Sequence, residues 1–292
     1  FSGYIENAAR QLGAEPEALL QRLTGYYDGY CFEKTATVRV MNPWSVMSFL
    51  IYPTRGFRDH WFQTGGQPSV LKDLFRSGAL KDPKNFAAVK TIPFSQLGGP
   101  AIGENFSEVD LLTQTGYLTF KSVDGNIAIV DYSTEEVRHA MAGMYLHQLV
   151  GKTIEQAGVM DFAIRLVKDN PETLVRIFNR LLESVDYEAY SIEDAKSVLA
   201  VIQIAMINVR LSPVIKVIAK GESVLEVQAG ERTIVLTLEY CHPDQEAEQL
   251  LQVAVSQLDK PFSGKLGGRM EILKLVLVFS ESDRRITVWS VA

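Results

Sequence analysis

A change of period near residue 211 constrains this chain more than any other feature. Upstream of it, apolar residues recur mostly at helical spacing. From Val214 onward, β-branched, alternating or apolar runs take over at Val214–Ala219, Ser223–Gln228, Thr233–Tyr240, Leu273–Ser280 and Arg285–Val291. Glycines, prolines and charged turns separate these runs, which read as strands. One helix, Asp244–Leu258, stands between the third and fourth. Helices at Pro171–Glu183 and Ile192–Arg210 precede the first strand, with a further one expected over Thr153–Lys168. Helix, three strands, helix and two strands is the order of an α/β sandwich.

The first half is expected to be helical with one small β unit. Ile5, Ala8, Ala9 and Leu12 share a helical face, and Pro16 opens a second helix carrying Leu19, Leu20 and Leu23. Next comes Gly25-Tyr26-Tyr27-Asp28-Gly29-Tyr30, where Asp28-Gly29 reads as a turn among bulky tyrosines. Thr37 to Met41 reads as a short strand. Asn42 is then expected to cap a helix with Pro43 at its first position and Trp44, Val46, Met47, Phe49 and Leu50 on its apolar side. Another amphipathic helix is expected from Pro68 through Leu71, Leu74 and Phe75, and residues 82–104 read mainly as loop. A helix at 108–115 is closed by Gly116. It leads into strands at Tyr117–Lys121 and Asn126–Val130 around the hairpin turn Asp124-Gly125, then a helix capped by Ser133 or Thr134. Helix, two-stranded wing and helix form a winged-helix-like unit, with Met141, Met144 and Tyr145 expected in its core.

Charge and cysteine usage narrow the function classes. With 29 Lys and Arg against 35 Asp and Glu, the formal charge is −6, which argues against a broad basic face for nucleic acid. Lys260, Lys265, Arg269, Arg284 and Arg285 read as a solvated face. No apolar run approaches the ~20 residues that cross a bilayer, so no membrane partner is expected. Two cysteines, Cys31 and Cys241, fit a reducing cytoplasm better than a disulfide framework.

Two words of the sequence go together: the Gly25–Tyr30 segment with Tyr27, Asp28, Gly29 and Tyr30, and Asn42-Pro43-Trp44-Ser45 twelve residues later. Glu108–Thr119, ending in Thr115-Gly116-Tyr117-Leu118-Thr119, and Thr134-Glu135-Glu136-Val137-Arg138 complete the set. In this order they resemble the bacterial and archaeal family that couples an AAA-ATPase-like domain to a C-terminal PD-(D/E)XK nuclease-like domain. The resemblance implies an α+β multidomain chain. Residues 1–100 would be a helical lid-like segment of the ATPase domain, 101–150 the winged-helix-like unit, and 151–292 a restriction-endonuclease-like α/β domain. It also implies a piece whose ATPase core lies upstream in cis. No Gly-x-x-x-x-Gly-Lys-Ser/Thr loop occurs in these 292 residues, so ATP is expected as a ligand only of that core.

In that superfamily an acid on one strand and an (Asp/Glu)-x-Lys triplet on the next hold Mg²⁺ and activate its water. The resemblance aligns the triplet with Thr237-Leu238-Glu239: the metal-binding acid is a threonine and the lysine a glutamate. The earlier acid would fall at Ser223 or Val224, neither of them acidic. Gln257 matches a glutamine of the family's following helix, with Phe262 in place of its tyrosine. The expectation is a nuclease fold without catalytic residues, metal or cofactor, recognising a protein or nucleic acid. The alternative is an active Mg²⁺ nuclease using shifted acids Glu222, Glu226 and Glu239, with Glu226 and Glu239 on one face of a hairpin. Other candidates carry less. Cys241-His242-Pro243-Asp244 reads as a strand-end turn with Asp244 capping the next helix. His139 and His147, eight apart on one helix, read as packing or surface residues.

Overall fold

A computed structural model describes residues 2–33, 35–63, 82–88, 90–94, 108–150, 158–159, 161–217, 223–258 and 271–292. The expected helix after Pro68, the beginning of the one after Thr153, and Glu222, Lys260, Phe262, Lys265 and Arg269 lie outside them. The chain divides into two compact units, residues 1–79 with 88–141 and residues 80–87 with 142–292. The described parts of the stretches read as lid-like and wing-like fall in the first unit, apart from 82–87 and 142–150.

In the first unit, α1 (Ser2–Leu12) and α2 (Pro16–Tyr27) pack with α3 (Pro43–Ile51). Their apolar stripes interlock in a core of Ala8, Ala9, Leu19, Leu23, Tyr27, Val46, Phe49 and Leu50. Asn42 caps α3 as its type demands: its side chain accepts hydrogen bonds from the backbone N–H groups of Trp44 and Ser45, with Pro43 in the first turn. Trp44 departs from the expectation. It is exposed, and Ser45 is buried instead, because the stripe facing the core runs Ser45, Val46, Phe49, Leu50.

Asp28-Gly29 is likewise not a turn. Asp28–Tyr30 forms β1, paired antiparallel with β2 (Val40–Met41) across a register shift. Gly29 is required for close approach: at φ +142° a Cβ would collide with the carbonyl oxygen of Ser133. A short helix α4 (His60–Gln63) follows.

The second unit contributes α5 (Lys84–Ala87), which Lys84 ties to Asp194 through a 2.8 Å ion pair. The first unit then adds β3 (Lys90–Pro93), α6 (Glu108–Gln114), β4 (Leu118–Asp124) and β5 (Ile127–Tyr132). The small sheet, expected as a two-stranded wing, is three-stranded, in the order β3-β5-β4, all antiparallel. Residues 82–94 were expected to be loop. They supply both α5 and β3, because an edge strand with one buried residue, Ile92, shows no period of its own. Pro93 sits at its end, where a missing N–H is tolerated. Thr134 accepts from the N–H of Val137 and opens α7 (Glu135–Leu149).

The second unit is mixed α and β around a five-stranded mixed sheet, with the element order expected from the period change. Helices α8 (Phe162–Lys168), α9 (Pro171–Leu182) and α10 (Ala195–Asn208) precede β6 (Val214–Val217), β7 (Ser223–Ala229) and β8 (Arg232–Cys241). Helix α11 (Ala247–Leu258) then leads to β9 (Glu271–Ser280) and β10 (Arg285–Val291). Asp244, expected to cap α11, lies three residues ahead of its first residue. The sheet order is β10-β9-β8-β7-β6. Only β8 and β9 pair in parallel, as the crossover through α11 requires. Every residue of α10 from Ser197 to Ile207 is buried, as befits a helix apolar all round. Tyr240 anchors one face of β8 by donating its hydroxyl to the carbonyl of Ile192, just ahead of α10.

Candidate functional site

In the first unit, Ser45 and Trp61 close over one buried carboxylate. Glu136, in the first turn of α7, is fully buried. The Ser45 hydroxyl donates to its two oxygens at 2.9 and 2.8 Å, and the backbone N–H of Trp61 donates to Oε1 at 3.0 Å. Burial pushes the carboxyl up to about 7; the Trp61 N–H and the Ser45 hydroxyl oppose that rise, and neighbouring Asp59 adds to it. Beside it, Asp59 accepts from Tyr26 at 2.8 Å and meets Nδ1 of His139 at 2.8 Å. Tyr27 is buried, and its hydroxyl donates to the Arg58 carbonyl while accepting from the Arg58 N–H. His139 thus has an acid partner brought from 80 residues away, which spacing along its own helix does not reveal.

This arrangement clamps four chain segments around a carboxyl that titrates near neutrality. Its closed position offers a substrate no access. Next to it an apolar cavity of about 460 Å³ opens between Tyr30, Phe32, Val40, Pro43, Trp61 and Gly116, with Asn42, Gln114 and Thr115 as its polar edge. Tyr30, Asn42, Pro43 and Gly116, singled out in the sequence, line that cavity. Tyr117 is buried behind it against Trp61, ring centroids 5.0 Å apart, and Trp44 stands exposed.

In the second unit, the ladder settles which of two residues faces Thr237. Val224 of β7 pairs with Thr237 of β8, which pairs in turn with Val276 of β9. Directly opposed residues project to the same side, so the three form one row across the sheet, all of them buried. Ser223 projects to the other face with its hydroxyl buried. The row holds two aliphatic side chains and one hydroxyl where a metal site needs carboxylates.

Glu239 lies two residues beyond Thr237 and on the same side. Glu226 shares that side but pairs with Val235, four residues from Glu239. At ~3.3 Å per residue this separates the two by about 13 Å along the strands, too far for one ion to span. Glu226 is instead bound to Lys216 at 2.6 Å. Gln257 lies on α11. Among the described residues, no three or more His, Cys, Asp or Glu gather where they would hold a metal. Cys241 and His242 end β8 in a turn: His242 meets Glu281 at 2.9 Å, and both cysteines of the chain are buried free thiols.

One further feature carries no sequence motif. Arg165 on α8 and Arg176 and Arg180 on α9 line a cavity of about 400 Å³ with Gly158, Asp161, Thr173 and Ile177. Its only local signal is the i, i+4 spacing of Arg176 and Arg180. No family model, no curated protein and no solved structure matches this chain.

Proposed function

We propose that this chain is a non-catalytic interaction region of a protein of the AAA-ATPase-like/PD-(D/E)XK type, in which the nuclease-like domain recognises a protein or nucleic acid without cutting it. The observation that carries this reading is the row Val224–Thr237–Val276. Phosphodiester hydrolysis of this type needs two carboxylates converging on a divalent ion and a cation beside the attacking water. The row supplies neither, and the residue aligned with the lysine, Glu239, carries the opposite charge. A sheet of this order with an apolar row at its centre is suited to holding a surface in shape. Energy for any remodelling would come from the ATPase core that the resemblance expects in cis.

Incubation of the purified chain with supercoiled plasmid and Mg²⁺ or Mn²⁺ tests the reading. The plasmid is expected to stay intact. Nicking that disappears in Glu239→Ala would overturn it.

A further inference from the structure

We infer that the cavity between α8 and α9 is a phosphate-binding site that takes a phosphate ester through Arg165, Arg176 and Arg180. Three guanidiniums from two helices line it together with one carboxylate, Asp161, on a chain whose net charge is −6. A space of about 400 Å³ lies within the range of small-ligand pockets and is wide enough for more than one phosphate group. The guanidinium is the side chain whose planar fork matches phosphate oxygens two at a time.

The present partners of two of these arginines are weak ones. Arg165 meets Asp169 at 3.2 Å, part-buried, and Asp161 at 3.8 Å, and Arg176 meets Glu172 at 3.8 Å on the surface, all at i, i+4 spacing. The two longer, exposed pairs contribute little to stability, so a phosphate competes for those guanidiniums at small cost. Arg176 also donates to the Thr173 hydroxyl at 3.4 Å, keeping its fork at the cavity edge.

Arg180 passes over Gly158. Gly158, at φ +77°, leaves open the space its side chain occupies: a Cβ there would sit 2.9 Å from Arg180 Cδ and 3.2 Å from its Nε. The glycine is therefore a cradle for this arginine as well as a left-handed residue. No part of the Val224–Thr237–Val276 row enters the cavity, so the site stands independently of the reading above. That reading bears only on whether the phosphate belongs to a nucleic-acid strand.

Fluorescence anisotropy with a labelled single-stranded DNA oligonucleotide, and calorimetry with inorganic pyrophosphate, test the site on the whole chain. Arg165→Ala and Arg180→Ala are each expected to weaken binding about tenfold. Each is also expected to flatten the salt dependence of oligonucleotide binding by roughly one unit of log–log slope. Gly158→Ala is expected to weaken binding by displacing Arg180, while Arg285→Ala, outside the cavity, leaves it unchanged. Arg165→Ala and Arg180→Ala are expected to keep the fold, which circular dichroism checks.

Binding of the oligonucleotide with competition by pyrophosphate identifies a nucleic-acid phosphodiester as the source. Binding of pyrophosphate alone identifies a free phosphate compound. Absence of binding by both probes, or binding that survives Arg165→Ala/Arg180→Ala, overturns the site. Plasmid cleavage would sink the non-catalytic reading and leave this one standing.

Discussion

Ser45 and Glu136, 91 residues apart, form a closed hydrogen-bonded pair in which one hydroxyl faces both oxygens of a buried carboxylate. The pair joins the start of α3 to the start of α7 and places an acid where water does not reach. Its energetic consequences run through pH.

Glu136 has a folded pKa near 7, above the ordinary value of 4.5. A raised acid binds its proton more tightly in the folded than in the unfolded state. Its contribution to stability is therefore greatest below about pH 4.5 and falls as pH rises toward 7. Glu136→Gln keeps a carbonyl for the Trp61 N–H and an amide for Ser45, and removes the titration. The stability of Glu136→Gln relative to the parent is expected to rise by on the order of 2–3 kcal/mol between pH 5 and pH 8. Urea titrations across that range check it. Ser45→Ala is expected to cost about 1–3 kcal/mol at neutral pH, because it strands the carboxylate.

Gly29→Ala is expected to destabilise the first unit by about 3 kcal/mol or more, visible as a lowered Tm. The added methyl would collide with the Ser133 carbonyl, and φ +142° is strained for any side chain. Gly125→Ala, in an open hairpin turn at φ +58°, meets no neighbour and is expected to cost only about 1 kcal/mol.

Thr237→Val is expected to leave stability unchanged or raise it, by about 1–2 kcal/mol at most, since it takes a buried hydroxyl out of a row whose two neighbours are valines. Thr237→Glu is expected to destabilise by several kcal/mol, roughly the cost of a buried unpaired carboxylate. Combined with Glu239→Ala, which removes the carboxylate two residues on along the same side, it is also expected to leave calorimetric Mg²⁺ titrations flat, because Val224 supplies no second ligand. Measurable Mg²⁺ binding by that double variant would contradict the assigned row.

Asn179 on α9 donates to the carbonyl of Ile286 at 2.9 Å and accepts from its N–H at 2.6 Å, completing the outer edge of β10 where the strand bulges. Asn179→Ala is expected to cost about 2–4 kcal/mol by orphaning two buried backbone groups. Asn179→Asp keeps only the acceptor and is expected to fall between. Hydrogen exchange at the Ile286 amide distinguishes the two.

Strands β6 to β10 were legible in the sequence because each carries several alternating or β-branched residues between Gly, Pro or charged breaks. The Asn42 cap and the Asp124-Gly125 hairpin were legible for the same local reason. Strand β3 was not, since Ile92 is the sole residue of its four that is buried. Gly29 shows the limit more sharply. A tight turn and a close backbone approach both demand glycine, and the choice between them rests on Ser133, more than a hundred residues away.

The amino-acid order alone decided the five strands of the second unit with the helix between the third and fourth, the Asn42 cap and the Asp124-Gly125 hairpin, and it holds no phosphate-cradling Gly-Lys loop in these 292 residues. Tertiary structure alone decided that Val224 and not Ser223 stands across from Thr237, and that Glu226 and Glu239 share a face yet lie too far apart for one ion. It also enclosed Glu136 beneath Ser45 and Trp61, and drew three arginines from two helices to one cavity. Periodicity and capping act over a few residues, so they can be read along the chain. Ladder register, burial and the meeting of charges depend on which distant segments pack together, and those are determined only when the whole core closes.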